Sequence, residues 1–208
     1  MTAPTVTAPA TPAAGVTLLR TGAGEITDGG RWVAPLEPAD EVALDRCRPP
    51  VLDVGCGPGR HTVALGRRGV PALGVDITPA AIEWAVPRGA LVLHRSVFDR
   101  LPGTGRWGTV LLLDGNLGIG GDPEALLRRS AELLAPGGLV VAELDAPGTP
   151  ARPTSARLEV AGAPGPWFAW DRVPVDHLAA LAEEVGLAVD DAWERDGRWF
   201  AVLRRGHR

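Results

Sequence analysis

The chain has 208 residues, of which 45% are hydrophobic, and it contains no run of 18 or more apolar residues. This length suits one domain with a sizeable core, and the lack of a long apolar run argues against a membrane span. The formal net charge is -4, with 25 acidic residues against 21 basic ones, so there is no basic surplus to bind a phosphate backbone and nucleic acid is not an expected partner.

The first 15 residues are mostly Ala, Thr and Pro, with no charged side chain. Such a segment buries little surface and is predicted to be a disordered tail. Its prolines interrupt any apolar core of a secretory signal. Two cysteines, Cys47 and Cys56, make no disulfide framework. We therefore expect a cytoplasmic protein in which residues 16–208 form a single domain.

Residues 16–47 form a segment of glycine loops that ends in a predicted short helix at 38–45 with an acidic first turn. The most informative stretch comes next, at residues 51–59, with the sequence VLDVGCGPG. It predicts a buried strand, a glycine turn and a helix, and residues 70–76 predict a second strand that ends in Asp76. Gly55 and Gly57 let the backbone turn sharply against a ligand. A carboxylate at the tip of the second strand can accept both hydroxyls of a ribose.

The middle of the chain alternates predicted helices and strands, as in an open parallel sheet. Helices are predicted at 61–68, at 79–85 with Thr78 as N-cap, and at 123–134 with Asp122 as N-cap. The third, fourth and fifth strands are predicted at 91–98, 107–113 and 139–144.

The last third predicts a helix at 175–185 that Gly186 ends, followed by strands at 187–193 and 198–203. The joint between these strands contains Asp196-Gly197, which favours an antiparallel hairpin. This hairpin distinguishes between two nucleotide-binding folds whose first strands and glycine turns look alike, because a dinucleotide-binding dehydrogenase does not end in such a hairpin.

In this order, several segments resemble the motifs of the class I S-adenosylmethionine-dependent methyltransferases, small-molecule type. Residues 52–59 are similar to the first motif of that family, 74–76 to the second, 96–102 to the segment that flanks the adenine, and 133–141 to the turn before the fifth strand. The resemblance implies a Rossmann-like α/β fold, with a seven-stranded, mostly parallel sheet and a C-terminal antiparallel hairpin. It implies S-adenosyl-L-methionine as the cofactor.

The resemblance also assigns roles around that cofactor. The glycine turn would hold the amino acid part, Asp76 the ribose, and Ile77 with Phe98 the adenine ring. Asp99 would accept a hydrogen bond from the adenine amino group. In this family the leading segment lies over the cofactor mouth, so Arg31 is a candidate for the cofactor carboxylate, or else a surface Arg beside Trp32. The cofactor-binding residues implied are Asp53, Gly55, Cys56, Gly57, Asp76, Ile77, Phe98, Asp99 and Asp114.

The acceptor site is predicted from the family arrangement to involve residues 146–174, the insertion after the fifth strand. Trp167 and Trp170 can wall an acceptor and Arg172 can pair with an acidic group on it, or the aromatic residues close the domain core in a small hairpin with 156–160. Asn116 either orients the acceptor or supplies a left-handed turn. Asn116 and His177 are the candidate catalytic residues, and a half-buried or helix-start histidine, the commoner case, is the alternative for His177.

The predicted function is methyl transfer from S-adenosylmethionine to an oxygen or nitrogen of a small-molecule acceptor. No ligand spacing indicates a metal site. A noncatalytic cofactor-binding or partner-binding module stays an alternative, and so does a dinucleotide-dependent oxidoreductase. We expect a monomer or a homodimer.

Overall fold

The computed structural model describes residues 17–22, 24, 26–150, 153–160 and 163–205, so the predicted tail at 1–15 lies outside the described residues. The helices are α1 (Pro38–Asp45), α2 (Arg60–Arg67), α3 (Pro79–Ala85), α4 (Pro123–Leu133) and α5 (Leu178–Glu184). The strands are β1 (Thr17–Thr21), β2 (Ile26–Asp28), β3 (Val51–Val54), β4 (Ala72–Asp76), β5 (Val92–His94), β6 (Trp107–Leu112), β7 (Leu134–Leu144), β8 (Pro153–Val160), β9 (Ala163–Pro164), β10 (Phe168–Asp171), β11 (Leu187–Arg195) and β12 (Arg198–Arg205).

The main sheet has seven strands in the order β11-β12-β7-β6-β3-β4-β5. Strands β3 to β7 pair in parallel, whereas β12 pairs antiparallel with both β7 and β11. The hairpin turn places Asp196 at φ 53° and Gly197 at φ 77°, the positive dihedrals that a two-residue hairpin turn with right-handed strand twist requires. The predicted fold is confirmed.

Helices cover both faces of this sheet, and for that reason its central strands are apolar throughout. All four residues of β3 are buried. Leu52 and Val110 pack on one side in a cluster that includes side chains of α4 and α5, while Val51 and Leu111 pack on the other side with α1 and α2. Such continuous apolar strands are typical of a parallel sheet that is buried on both faces.

A second, antiparallel sheet lies across the carboxyl ends of the parallel strands. Its order is β10-β8-β1-β2, and β9 pairs with β8. It joins two parts of the chain that are far apart in sequence, since β1 comes from the segment 16–47 and β8 and β10 come from 146–174. The N–H of Gly120 donates to the Ala169 carbonyl at 3.1 Å, which ties the second sheet to the loop after β6. The antiparallel pairing of β8 with β10 agrees with the hairpin that was the alternative for the Trp170 segment, but it runs over residues 153–156 and includes only Ala156 of the range 156–160.

The third strand is shorter than predicted, since β5 ends at His94 rather than at Phe98. Side chains compete for the backbone beyond it: Ser96 N–H donates to Asp99 Oδ2 at 3.2 Å and Phe98 N–H donates to Ser96 Oγ at 3.2 Å. These local hydrogen bonds favour a turn over a strand.

Two helix starts also differ in detail from the prediction. Residues 175–177 form a 3₁₀ turn before α5 begins. Thr78 occupies the N-cap position of α3 without a side-chain capping bond. Among the described residues, no helix is long and apolar enough to cross a membrane.

Candidate functional site

The main cavity lies at the carboxyl ends of the parallel strands, with the second sheet on its other side. It has a volume of about 530 Å³. In open α/β sheets this is the crevice in which ligands bind. Of the residues predicted to bind the cofactor, the cavity wall contains Gly55, Cys56, Gly57, Asp76, Ile77, Phe98 and Asp114.

The glycine turn after β3 presents bare backbone to this cavity. Gly55 and Gly57 have φ values of 68° and 52°, a region that residues with a Cβ rarely adopt. A Cβ on Gly55 would lie 2.7 Å from Asn116 Nδ2, whereas a Cβ on Gly57 would have no atom within 4 Å. Gly55 is therefore required by packing inside the protein, and Gly57 borders the open space that a ligand would enter.

Asp76 and two apolar side chains fit the nucleoside part of such a ligand. The Asp76 carboxylate accepts the Gly57 N–H and the Thr78 N–H, each at 2.8 Å. It is half-buried in the cavity wall, and each of its oxygens keeps a lone pair for a further donor. Ile77 and Phe98 are 59% and 47% exposed, and both line the cavity. These residues fit a ribose and a flat aromatic base.

Two predicted cofactor residues lie outside the cavity wall. Asp53 is fully buried, it accepts the Thr62 hydroxyl at 2.7 Å, and burial raises its pKa. This bond joins β3 to α2, the two elements on either side of the glycine turn. Asp99 is exposed and its carboxylate caps the turn at Ser96. Asp99, which the resemblance assigns to the adenine amino group, therefore lies at this turn and outside the cavity wall.

Cys56 is in the cavity wall but its thiol is packed inward. A Cβ on Gly74 would lie 2.6 Å from Cys56 Sγ, so the strand β4 leaves room for the sulfur. Burial raises the pKa of the Cys56 thiol far above its usual range. Because the thiolate is the nucleophilic form, this cysteine has a packing role.

Asn116 holds the glycine turn in place. Its side chain is buried, and its amide nitrogen donates to the carbonyls of Val54 at 2.8 Å and Gly55 at 3.0 Å. The expectation that Asn116 takes the left-handed backbone is wrong, because Asp114 and Gly115 do so, at φ 57° and 77°. The Asn116 N–H₂ group is thus directed at the glycine turn.

A closed ring of ion pairs joins the turn after β6 to α1, α2 and β12. Asp114 N–H donates to Glu143 Oε2 at 2.7 Å, and the Glu143 oxygens accept from Arg198 at 2.8 and 2.7 Å. Arg198 Nη1 also donates to Asp40 Oδ1 at 2.8 Å. Arg60 closes the ring, with donation to Asp40 Oδ2 at 2.5 Å and to the two oxygens of Asp114 at 2.9 and 3.1 Å. Asp114 is therefore fixed through both its N–H and its carboxylate.

Asp40 is the most deeply buried member of this ring, with no exposed surface. Burial by itself raises the pKa of this carboxyl. The His61 ring at 3.6 Å, the Glu37 N–H and the Arg60 charge together lower the pKa by more than burial raises it. The net result is a pKa well below the usual range. Asp40 is consequently ionised in the folded protein at neutral pH.

A smaller side cavity of about 240 Å³ adjoins the main one. The two cavities share Leu19, Trp32, Asp114 and Trp170. Charged side chains line the side cavity: Arg31, Asp114, Glu143, Asp145 and Arg172.

The predicted acceptor residues divide around this side cavity. Trp170 lines both cavities, whereas Arg172 lines the side cavity and donates to Asp145 Oδ1 at 2.6 Å. Trp167 is 48% exposed, lies under the Arg157 guanidinium at 4.8 Å and is outside both walls. His177 is exposed in the 3₁₀ turn before α5, also outside both walls.

Arg31 also lies in the side cavity, with its Nη2 atom 3.3 Å from Asp114 Oδ1. Its Nε and Nη2 atoms are buried and have no hydrogen-bond partner. Arg31 was a candidate from the sequence, whereas Arg60, Arg198 and Glu143 were not. The one sequence feature that indicated any of these three residues was the position of Arg60 directly after the glycine turn. Within the described part of the chain, no group of His, Cys, Asp and Glu side chains is arranged to hold a metal ion.

Comparisons with known proteins agree with this geometry. Residues 30–192 match the family described as a methyltransferase domain. A trans-aconitate 2-methyltransferase of Methylobacterium radiotolerans is 32% identical over 126 residues, which make up 57% of this chain and 45% of that relative. The chain thus spans less than half the length of this curated relative.

Two solved structures are similar in fold. A SAM-dependent methyltransferase from Bacteroides fragilis in complex with S-adenosyl-L-homocysteine has a TM-score of 0.77 at 20% identity, over 91% of this chain and 87% of that chain. The second is the 1,6-didemethyltoxoflavin-N1-methyltransferase of Burkholderia thailandensis with bound 1,6-didemethyltoxoflavin and S-adenosylhomocysteine. It has a TM-score of 0.63 at 21% identity, over 86% of this chain and 83% of that chain. Because the family match covers most of the chain, this protein belongs to the methyltransferase domain family, as the resemblance to the S-adenosylmethionine-dependent enzymes predicts.

Proposed function

We propose that the protein binds S-adenosylmethionine in the main cavity and transfers its methyl group to an oxygen or nitrogen of a small molecule in the side cavity. The observation that carries this proposal is the arrangement of two adjoining cavities, one with a wall suited to a nucleoside and one lined by charged groups. They meet at Asp114, so a donor and an acceptor would be in contact there.

On the cofactor side, each residue has a binding role. Asp76 accepts the ribose hydroxyls, Ile77 and Phe98 enclose the adenine, and the backbone of Gly55 and Gly57 lies along the amino acid part. Arg31 stays a candidate for the cofactor carboxylate. The cofactor supplies a methyl group that is already activated by the positive sulfonium.

The contribution of the protein to the reaction is therefore mainly alignment. Holding two reactants in a productive geometry at about 3 Å supplies a large part of a rate enhancement without a dedicated base. Asp114 and Trp170 border both cavities and are placed to set this geometry.

Relatives of this chain act on small molecules, since the names of two of them specify trans-aconitate and 1,6-didemethyltoxoflavin. We infer a small-molecule acceptor here as well. The side cavity supports an enzyme over a noncatalytic module, because an acceptor has space beside the cofactor. The C-terminal hairpin argues against an oxidoreductase. The cytoplasmic location and the monomeric or homodimeric state stay predictions.

Transfer of an isotope-labelled methyl group from S-adenosylmethionine to small molecules tests the proposal. We expect label to appear in a product of low mass with the intact protein. Trp170→Ala should lower this transfer, while Trp167→Ala, a matched change outside both cavities, should leave it unchanged. Equal loss in both variants, or label transfer only to macromolecules, would contradict the assignment.

A further inference from the structure

We propose that the acceptor carries an aromatic ring, and that this ring lies against the second sheet while the oxygen or nitrogen to be methylated lies at the junction of the two cavities. This inference rests on the proposed function and names the class of its acceptor. Three features carry it: the apolar side of the second sheet, the charge distribution over the walls of the main cavity, and the contact of that apolar side with the junction.

The second sheet has an apolar side that lines the main cavity. Successive side chains of a strand point to opposite sides, and directly paired residues of neighbouring strands point to the same side. Leu19 of β1 pairs directly with Leu158 of β8. Phe168 and Trp170 of β10 are two residues apart, and their rings lie edge to face at 5.9 Å. We call these four side chains the inner face, because all four line the main cavity.

The opposite side of the same strands is charged. Arg20 and Arg157 pair directly, and both donate to Glu159 Oε1, at 2.8 and 2.9 Å. Trp167 precedes Phe168 in the sequence but lies under the Arg157 guanidinium. The sheet therefore separates apolar from charged side chains, with the apolar set on the cavity side.

The inner face is not part of the core of the main sheet. Among the described residues, neither of the two apolar clusters around that sheet includes any of its four side chains. Each of the four is half-buried, so each keeps apolar surface that a ligand in the cavity can cover. Removal of such surface from water favours binding in proportion to the area covered.

The inner face belongs to a wall without charge. Within the described residues, the segments 16–47 and 146–174 contribute only Gly, Ala, Val, Leu, Phe and Trp to the main cavity. The polar side-chain atoms that they supply there are indole nitrogens. A sugar or a polycarboxylate would lose water from several oxygens at this wall and gain few hydrogen bonds, which costs free energy. An aromatic ring would pack against the Phe and Trp rings instead.

The charged groups of the main cavity lie on the other wall. Each follows one of the parallel strands of the main sheet, and they are Arg60, Asp76, Arg95 and Asp114. That wall also contains Ile77 and Phe98, so the proposed places of the ribose and the adenine are both there. The inner face is thus left for the acceptor.

The inner face reaches the place where the methyl group would be transferred. Leu19 and Trp170 line both cavities. A Cβ on Gly115 would lie 3.5 Å from Trp170 Cζ2, and Gly115 directly follows Asp114. A ring packed against Trp170 would therefore place its substituent at the junction. There the oxygen or nitrogen forms a bond to the methyl carbon, the electron pair of the broken C–S bond stays on sulfur, and the proton of the acceptor passes to water.

Pairs of compounds with one reactive group and two different bodies test the class of acceptor. Benzyl alcohol and methyl glucoside carry a hydroxyl group, and benzylamine and methyl glucosaminide carry an amine, so the comparison does not depend on which atom is methylated. Product mass after incubation with S-adenosylmethionine measures methylation. We expect the benzyl compound of a reacting pair to be methylated at least about 10-fold faster than the sugar, because its ring covers the inner face. Equal rates, or a faster sugar, would overturn the proposal.

If no compound is methylated, binding decides the question. The melting temperature of the S-adenosylhomocysteine complex should rise more with the benzyl compounds than with the sugars. An equal response to both bodies, including no response to either, overturns the proposal, and so does the opposite order. Binding of S-adenosylhomocysteine alone is measured separately, so a failure of the proposed function is distinguished from a failure of this inference.

Leu158→Asn and Phe168→Ala test the inner face itself, with Trp167→Ala as the matched control on the charged side. At a temperature where circular dichroism shows the variants to be folded, the dissociation constant of the benzyl compound should rise at least about fivefold in both inner-face variants. Affinity for S-adenosylhomocysteine should change less than about threefold, and the control should change neither value. If Leu158→Asn does not fold, Phe168→Ala and the compound pairs decide. Loss of S-adenosylhomocysteine affinity with benzyl binding retained would assign the inner face to the cofactor and overturn the proposal.

Discussion

Replacement of Asp76 by alanine should weaken cofactor binding strongly. The carboxylate lies in the cavity wall and accepts two backbone N–H groups at 2.8 Å, so its oxygens are held in one orientation toward the cavity. Hydrogen bonds to a charged group contribute about 1.5–3 kcal/mol. Loss of that energy corresponds to a dissociation constant about 10- to 150-fold higher. The two N–H groups also lose their acceptor, so a lower melting temperature is expected as well.

Calorimetric titration with S-adenosylhomocysteine measures this change, at a temperature where circular dichroism shows the variant to be folded. Asp45→Asn is the matched control, since Asp45 has a side chain with 74% exposure at the end of α1. The control should bind as the unmodified protein does. Unchanged affinity in a folded Asp76→Ala variant would show that the ribose binds elsewhere, and the assignment of the main cavity would then be wrong.

Three further changes test the rest of the site. Gly57→Ala and Gly137→Ala both place a Cβ in open space at positive φ, and each should destabilise the folded protein by about 1 kcal/mol. Only Gly57→Ala should also weaken S-adenosylhomocysteine binding. Asn116→Ala removes two hydrogen bonds worth about 1 kcal/mol each; we expect a melting temperature about 4–8 °C lower and weaker cofactor binding, because the turn at Gly55 loosens. Asp40 has a folded-state pKa below its ordinary value of 3.8, so its stabilisation is present above that pH and is lost as the pH falls below it. Asp40→Asn should therefore lower stability at pH 7 by about 3–5 kcal/mol and flatten the loss of stability in acid.

Each of these predictions has a contradicting result. Equal affinity in the two glycine variants would mean that the cofactor does not approach Gly57. An Asn116→Ala protein with unchanged melting temperature and affinity would remove its role in holding the turn. Denaturant titration over a range of pH measures the Asp40 effect, and an acid-unfolding slope identical to that of the unmodified protein would show that this carboxyl does not titrate with folding.

Local patterns in the sequence were sufficient to predict most of the main sheet and the cofactor side of the site. The apolar run of β3, the glycines after it and Asp76 at the next strand end lie within 26 residues, between 51 and 76, and such short-range patterns determine a strand, a turn and a strand by backbone sterics alone. The Asp196-Gly197 turn is similar, because the positive φ that these residues tolerate selects a tight hairpin. Ile77 and Phe98 were assigned through the resemblance to the family motifs; Ile77 directly follows β4, whereas Phe98 lies four residues beyond the end of β5.

The acceptor side depends on contacts that no local pattern encodes. Arg198 meets Glu143 across 55 positions and Asp40 across 158, so the ion-pair ring exists only after the C-terminal hairpin pairs with β7. The second sheet likewise needs β1 to meet β8 across more than a hundred residues. Asn116 was a candidate site residue from the sequence, but its bonds to the Val54 and Gly55 carbonyls could be identified only from the fold. Short polar turns such as Ser96–Asp99 also ended a strand that apolar residues alone would extend.

Titration of the unmodified protein with S-adenosylhomocysteine, alongside an identical titration with NAD, tests the central claim most directly. A cavity with Gly57 and Asp76 at its wall and with the fold of the methyltransferase domain family should bind S-adenosylhomocysteine at one site per chain. We expect saturable heat with this ligand, a rise in melting temperature that grows with its concentration, and no heat with NAD. Binding of NAD together with no binding of S-adenosylhomocysteine would contradict the account.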